Sequence, residues 1–160
     1  MRNNKSEQEK KLARRYVKYE LRMLNVAVEA KLKHLSLDSK KRDKYIGSIY
    51  LDAILLHVRN LFEFLNRKPK DNYIRAMDFL DNKSWKPTKF KTINHALIRK
   101  IETYRSHLSY LRKIGDEMPK WKIKKMRDEI FEVFKEFVDQ LPISERTNWK
   151  INLSIADENK

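Results

Sequence analysis

Glycine occurs only twice in this chain of 160 residues, at Gly47 and Gly115, and proline only four times. Glycine supplies the positive-φ positions that tight hairpins demand. An all-β sandwich or barrel needs such turns at short, regular intervals. A chain poor in both residues is therefore built from long uninterrupted segments, and these read as helices. The same scarcity excludes Gly-rich phosphate loops and dinucleotide fingerprints, each of which needs several glycines. Cysteine is absent, which removes disulfide frameworks, Cys-zinc sites and thiol nucleophiles. A hydrophobic content of 41% is enough for one buried core at this length.

Apolar periodicity divides the chain. In residues 6–35, Leu12, Tyr16, Tyr19, Met23, Val26 and Ala30 recur at alternating steps of four and three, one stripe of a helix. The stripe is expected to face the core of a bundle, with a dimer or partner seam as the alternative. Residues 37–43 form a polar connector. A second helix over residues 43–66 is apolar almost all round from Ile49 to Leu65, as the central helix of a bundle would be, and Pro69 follows its end. A short helix is expected over residues 72–80, anchored by Ile74, Met77, Phe79 and Leu80. Residues 81–91 read as a loop pinned to the core by Trp85.

A further helix over residues 92–114 carries Ile93, Leu97, Ile101, Tyr104, Leu108 and Leu111 on one side, with Gly115 as its C′ residue. The last long helix begins near Pro119 and ends before Pro142, with Met126, Ile130, Val133, Phe134, Phe137 and Leu141 facing inward. The expected fold is all-α, an antiparallel bundle of four to five helices. Residues 1–142 make the single bundle domain. Residues 143–160 form a tail, docked or flexible, in which Ile151, Leu153 and Ile155 alternate.

The net charge is +15, and it is unevenly placed. Residues 1–42 hold 13 basic and 5 acidic groups, and residues 83–127 hold 14 and 3. Residues 43–82 are balanced at 6 and 6, and residues 128–160 hold 4 and 8. Clustered cations attract polyanions by counterion release, and nucleic acid is the commonest such partner. Lys83, Lys86, Lys89 and Lys91 are the expected nucleic-acid contacts of the loop. An acidic protein partner, an anionic lipid surface and a merely solubilising surface are the alternatives. No helix-turn-helix, zinc finger or RNP aromatic motif is present. The chain shows no secretory h-region, and Asp52, His57, Arg59, Asn60 and Glu63 interrupt its most apolar stretch. No membrane span is expected, and a cytoplasmic location is the default.

Asp128, Glu129, Glu132, Glu136 and Asp139 fall on one helix, opposite its apolar face, and are expected to point to solvent rather than hold a metal. Neither Glu-x-x-His nor His-Glu-x-x-His occurs, and no cofactor is expected. His34 and His95 read as structural or exposed. Asp52, Arg59 and Glu63 lie within about 40° of one another on the second helix and can form an ion network, from which His57 points away. His107 flanks the stripe of its helix, and Lys100 sits seven positions earlier, about 20° away. An ammonium and an imidazole on one face can hold a phosphate and move a proton.

Residues 55–65, LLHVRNLFEFL, resemble the HARN-L-x-D/E-F-F/L helix of a family of uncharacterised small bacterial proteins. Residues 74–87, IRAMDFLDNKSWKP, resemble that family's A-x-D-F…W segment. Residues 100–112, KIETYRSHLSYLR, resemble its R/K-I-N-K-x-x-x-H-L-S/T-Y-x-R helix. The family is similar to HEPN-like helical bundles, which often pair two protomers around an Arg-x4–6-His motif and cut RNA without metal. The resemblance implies a homodimer and a metal-independent ribonuclease of toxin or defence type. His107 would be its acid or base, and Lys100, with Arg59 or Arg105, would steady the phosphate. His57, Asn60, Glu63, Glu102 and Tyr110 would line the site. Lys100 stands at the Arg position and keeps its charge without the planar fork, and Glu102 replaces an Asn. A non-catalytic binding module on the same bundle is the competing expectation.

Overall fold

Ser6 starts the first helix by a reciprocal cap. Its hydroxyl accepts from the Glu9 N–H at 3.2 Å, and the Glu9 carboxylate accepts from the Ser6 N–H at 2.7 Å. The Ser6 backbone bond, then its hydroxyl, hold the Glu9 carboxyl below the usual carboxylate range. The computed structural model describes residues 5–66, 73–105 and 120–151, apart from the side chains of Lys44 and Arg105. Helix α1 runs over Glu7–Ser36 and α2 over Lys44–Asn66. Asp43 opens α2 by accepting from Tyr45 and Ile46 N–H at 2.7 and 3.2 Å. Helix α3 covers His95–Arg105, and Asn94 caps it by accepting from the Leu97 N–H at 2.9 Å. Helix α4 spans Ile123–Asp139, and α5 is a single turn over Ile143–Arg146.

The protein is all-α: these five helices pack together, and the described residues hold no strand element. Helices α1 and α2 are antiparallel, since Glu20 meets His57 and Asn60 while the later His34 meets the earlier Tyr50. Their crossing is close at Gly47, where an added Cβ would stand 3.1 Å from Lys31 Nζ and 3.2 Å from His34 Nε2. Lys31 uses that space to donate to the Gly47 carbonyl at 2.7 Å, and burial holds its ammonium below the usual lysine range. Helix α2 is the hub, packing on α1, α3, α4 and a 3-10 turn over Ala76–Asp78. The core is aliphatic between α1 and α2. Around Trp149, which is 1% exposed, it is aromatic: the Trp149 ring lies 4.9 Å from Phe79 and 5.0 Å from Phe137. Trp85 packs 6.0 Å from Phe137, which pins its loop as expected.

All six residues expected to face inward on the last long helix are buried, five on α4 and Leu141 just past its end. On α1 the expectation fails. Leu12, Tyr16, Tyr19 and Val26 are exposed, and Val17, Leu21, Leu24 and Val28 are buried instead. This helix carries two apolar stripes roughly 145° apart. The purely aliphatic one packs, because burying tyrosines would oblige their hydroxyls to find partners. Helix α4 starts four residues later than Pro119, and the expected helix over residues 72–80 is one 3-10 turn among those described. The second half of the helix expected over residues 92–114 lies outside the described residues. Residues 143–151 are docked, with Trp149 completing the core, so the folded unit runs past residue 142.

Candidate nucleic-acid interface

Two electropositive grooves are present. The first is built on α1 alone. Lys11, Arg15, Lys18 and Arg22 recur at steps of four, three and four, which sets them along one edge of the helix. With Arg14 and Tyr19 they line a groove of about 500 Å³ whose wall has no carboxylate among the described residues. Arg14 turns inward, 3.3 Å from Glu145 and over the Trp149 ring. The other four cations make no ion pair with a described residue. Desolvation, then Arg14 and Arg22, hold Lys18 below the usual lysine range. Burial is the larger cause, and the neighbouring guanidinium groups add to it.

The second groove, about 700 Å³, lies between the loop before α3 and the start of α4. Lys89, Lys91, Lys122, Lys124 and Lys125 line it, together with Asp128, Glu129 and Glu132. Glu129 corrects the sequence reading: it is 6% exposed and faces inward. Its carboxylate accepts from the backbone N–H groups of Lys91, Thr92 and Ile93 at 2.8, 2.8 and 2.7 Å. Three consecutive amides form a concave cradle for an anion, and here the protein's own carboxylate fills it. Glu136 likewise accepts from the N–H and hydroxyl of Thr88 at 3.0 and 2.9 Å. Two acids expected in solvent thus staple the loop to α4. Asp128 accepts from Arg127 at 2.9 Å, and Arg127 also pairs with Glu29 on α1.

Of the residues drawn together by the resemblance, the described ones fall into separate groups. His57 Nδ1 stands 2.7 Å from Glu20, and Asn60 donates to the same carboxylate at 3.2 Å, so both face α1. Arg59 donates to Glu102 at 3.0 Å and lies 3.7 Å from Glu63, so this pair faces α3. Asp52 is exposed and outside that network. Lys100 is exposed, about 160° around α3 from Glu102. Arg59, held at Glu102, therefore stands on the opposite flank of α3 from Lys100 and cannot serve the same phosphate. His107 and Tyr110 lie outside the described residues, as does the side chain of Arg105.

In the loop, Lys83 donates to the Met77 carbonyl at 3.0 Å, a structural tie. Lys86, Lys89 and Lys91 are exposed, and of these Lys89 and Lys91 line the second groove. The α1 edge was missed residue by residue, although the four-three-four spacing of its cations was legible. Among the described residues no group of acids and histidines could hold a metal ion, and no helix is long and apolar enough to cross a membrane. Compared with known proteins, the chain matches no family model, no curated sequence and no solved structure.

Proposed function

We propose that this protein binds nucleic acid, RNA above all, through the basic edge of α1, on a bundle of HEPN-like type. The observation that supports this is the α1 groove: four aligned cations, no acid in the wall among the described residues, and one ammonium lowered by burial and then by its cationic neighbours. A polyanion laid along the edge relieves that repulsion and releases counterions, whatever its sequence. The second groove contributes less, because three carboxylates share it with five lysines. Salt titrations of binding to a labelled single-stranded RNA test this. Replacing Lys11, Arg15, Lys18 and Arg22 by Gln together should weaken binding at least about 10-fold. It should also flatten the salt slope by about 0.7 for each phosphate no longer neutralised. An unchanged affinity and slope would overturn the reading, and an acidic protein partner would become the better one.

A catalytic reading rests on Lys100, which is exposed and clear of the Arg59–Glu102 pair. In it, His107 takes the proton from a ribose 2′-hydroxyl as that oxygen attacks phosphorus. The 5′-oxygen leaves with a proton drawn from water, His107 later returns its own proton to solvent, and Lys100 balances the charge that develops on the phosphoryl oxygens. The products are a 2′,3′-cyclic phosphate and a 5′-hydroxyl. Labelled RNA incubated with EDTA should be cut by the protein and left intact by the His107→Ala variant. Equal cutting by both would refute the mechanism.

A further inference from the structure

The outward stripe of α1 is left largely uncovered by the fold, although the Tyr19 ring stands edge-on to His57 with centroids 6.3 Å apart. Leu12 is 50% exposed, Tyr16 60%, Tyr19 54% and Val26 41%, with Met23 and Ala30 half-buried between them. We propose that this stripe is a self-association seam, on which α1 of a second copy packs antiparallel about a two-fold axis near residue 21.

Three observations carry the choice of a second copy. The first is the spacing. Steps of four, three, four, three, four read the same in both directions, so a two-fold axis pairs every position with another of the set. Leu12 meets Ala30 of the second copy, Tyr16 meets Val26, and Tyr19 meets Met23. Each pairing sets a larger side chain against a smaller or more pliable one, the complementarity that close packing requires.

The second is area. An aromatic side chain offers about 150–250 Å². Two half-exposed tyrosines with Leu12 and Val26 therefore present roughly 400 Å² of apolar surface per copy. Ile49, 64% exposed on the neighbouring α2, adds to the outward apolar surface. With a polar rim this approaches the roughly 800 Å² per partner of specific interfaces, and it implies a dimer of moderate strength.

The third is charge placement. The basic edge lies about 90° around α1 from the stripe, so it stays open when the seam closes. A two-fold axis perpendicular to the helix keeps each edge on its own side, so both copies present their cations together. Arg22 of each copy then sits near the axis, and screening that repulsion strengthens the dimer. Salt thus acts oppositely on self-association and on RNA binding.

Sedimentation equilibrium of the full chain, without RNA, tests the seam. A monomer–dimer equilibrium is expected, tightening as salt is raised. The Tyr16→Glu/Tyr19→Glu variant should raise the dissociation constant at least about 100-fold with an unchanged circular dichroism spectrum. Ile143→Ser, at an exposed site elsewhere, should leave association unaltered. Because the chain has no cysteine, introduced thiols report the register without interference. Mixing chains carrying Tyr19→Cys with chains carrying Met23→Cys should give a rapid inter-chain disulfide. Leu12→Cys alone should not self-link, since its symmetry mate lies about 27 Å along the axis. A monomer at every concentration, a dimer indifferent to the Tyr16→Glu/Tyr19→Glu change, or self-linking through Leu12→Cys would each overturn the proposal. RNA binding tests the proposed function separately, so the two fail independently.

Discussion

The two basic grooves hold similar numbers of cations and differ in what accompanies them. On the α1 edge Lys11, Arg15, Lys18 and Arg22 stand without carboxylates among the described residues, and burial, then cationic neighbours, disfavours Lys18 as an ammonium. Beside α4, five lysines share the wall with Asp128, Glu129 and Glu132, two of which are engaged in holding the loop and Arg127. Cation counts alone, five in each wall, would rank the two grooves level. The pairing ranks the first higher, because a cation already matched by an acid gains less from a phosphate.

The contrast can be broken at its structural end. Glu129→Ala strips three N–H groups, one buried and two part-buried, of their acceptor and should cost about 3 kcal/mol in urea unfolding. Glu129→Gln, which keeps an acceptor oxygen, should cost less. If the α1 edge is the binding surface, RNA affinity of the folded Glu129→Gln protein stays near wild type. Next in size, Lys89, Lys122, Lys124 and Lys125 changed together to Gln should weaken RNA binding only about 3-fold, well short of the α1 quadruple change. The reverse order would reassign the interface to the second groove.

The smallest effect is the most diagnostic. Lys18→Gln removes a disfavoured charge and should leave stability unchanged or raise it by up to about 0.5 kcal/mol, while lowering RNA affinity about 2-fold. The pH dependence follows with a definite sign. The folded-state pKa of Lys18 lies below its unfolded value, so the unfolded chain holds more protons between the two. Stability should therefore rise as pH climbs through the folded pKa, until the unfolded value near 10.4 is passed. Lys31, lowered by burial, acts in the same direction. Thermal melts at pH 8 and 10 should show the rise, reduced in Lys18→Gln.

How much the sequence discloses differs by element for a physical reason. Helix α4 carries one strong apolar stripe, and its five residues are inside, as is Leu141 just past the helix end. Helix α1 carries two, and periodicity cannot choose between Leu12–Tyr16–Tyr19 and Val17–Leu21–Leu24 without the neighbouring helices. Trp85 and the central position of α2 were legible because few alternatives exist for so much apolar surface. Glu129 was not, since its partners are backbone amides of a loop, which no side-chain pattern records. The pairing of His57 with Glu20 joins residues 37 apart and is equally invisible to local spacing.

Trp149 closes the aromatic cluster with Phe64, Phe79 and Phe137 from far along the chain. During synthesis, which proceeds from the amino terminus at about 5–20 residues per second, the α1–α2 hairpin can assemble early. The cluster must wait until residue 149 has emerged. For those seconds the rings of Phe64 and Phe79 are uncovered, which makes the nascent chain a natural client for chaperones that grip apolar segments. A chain halted short of Trp149 should persist in that half-built, aggregation-prone form.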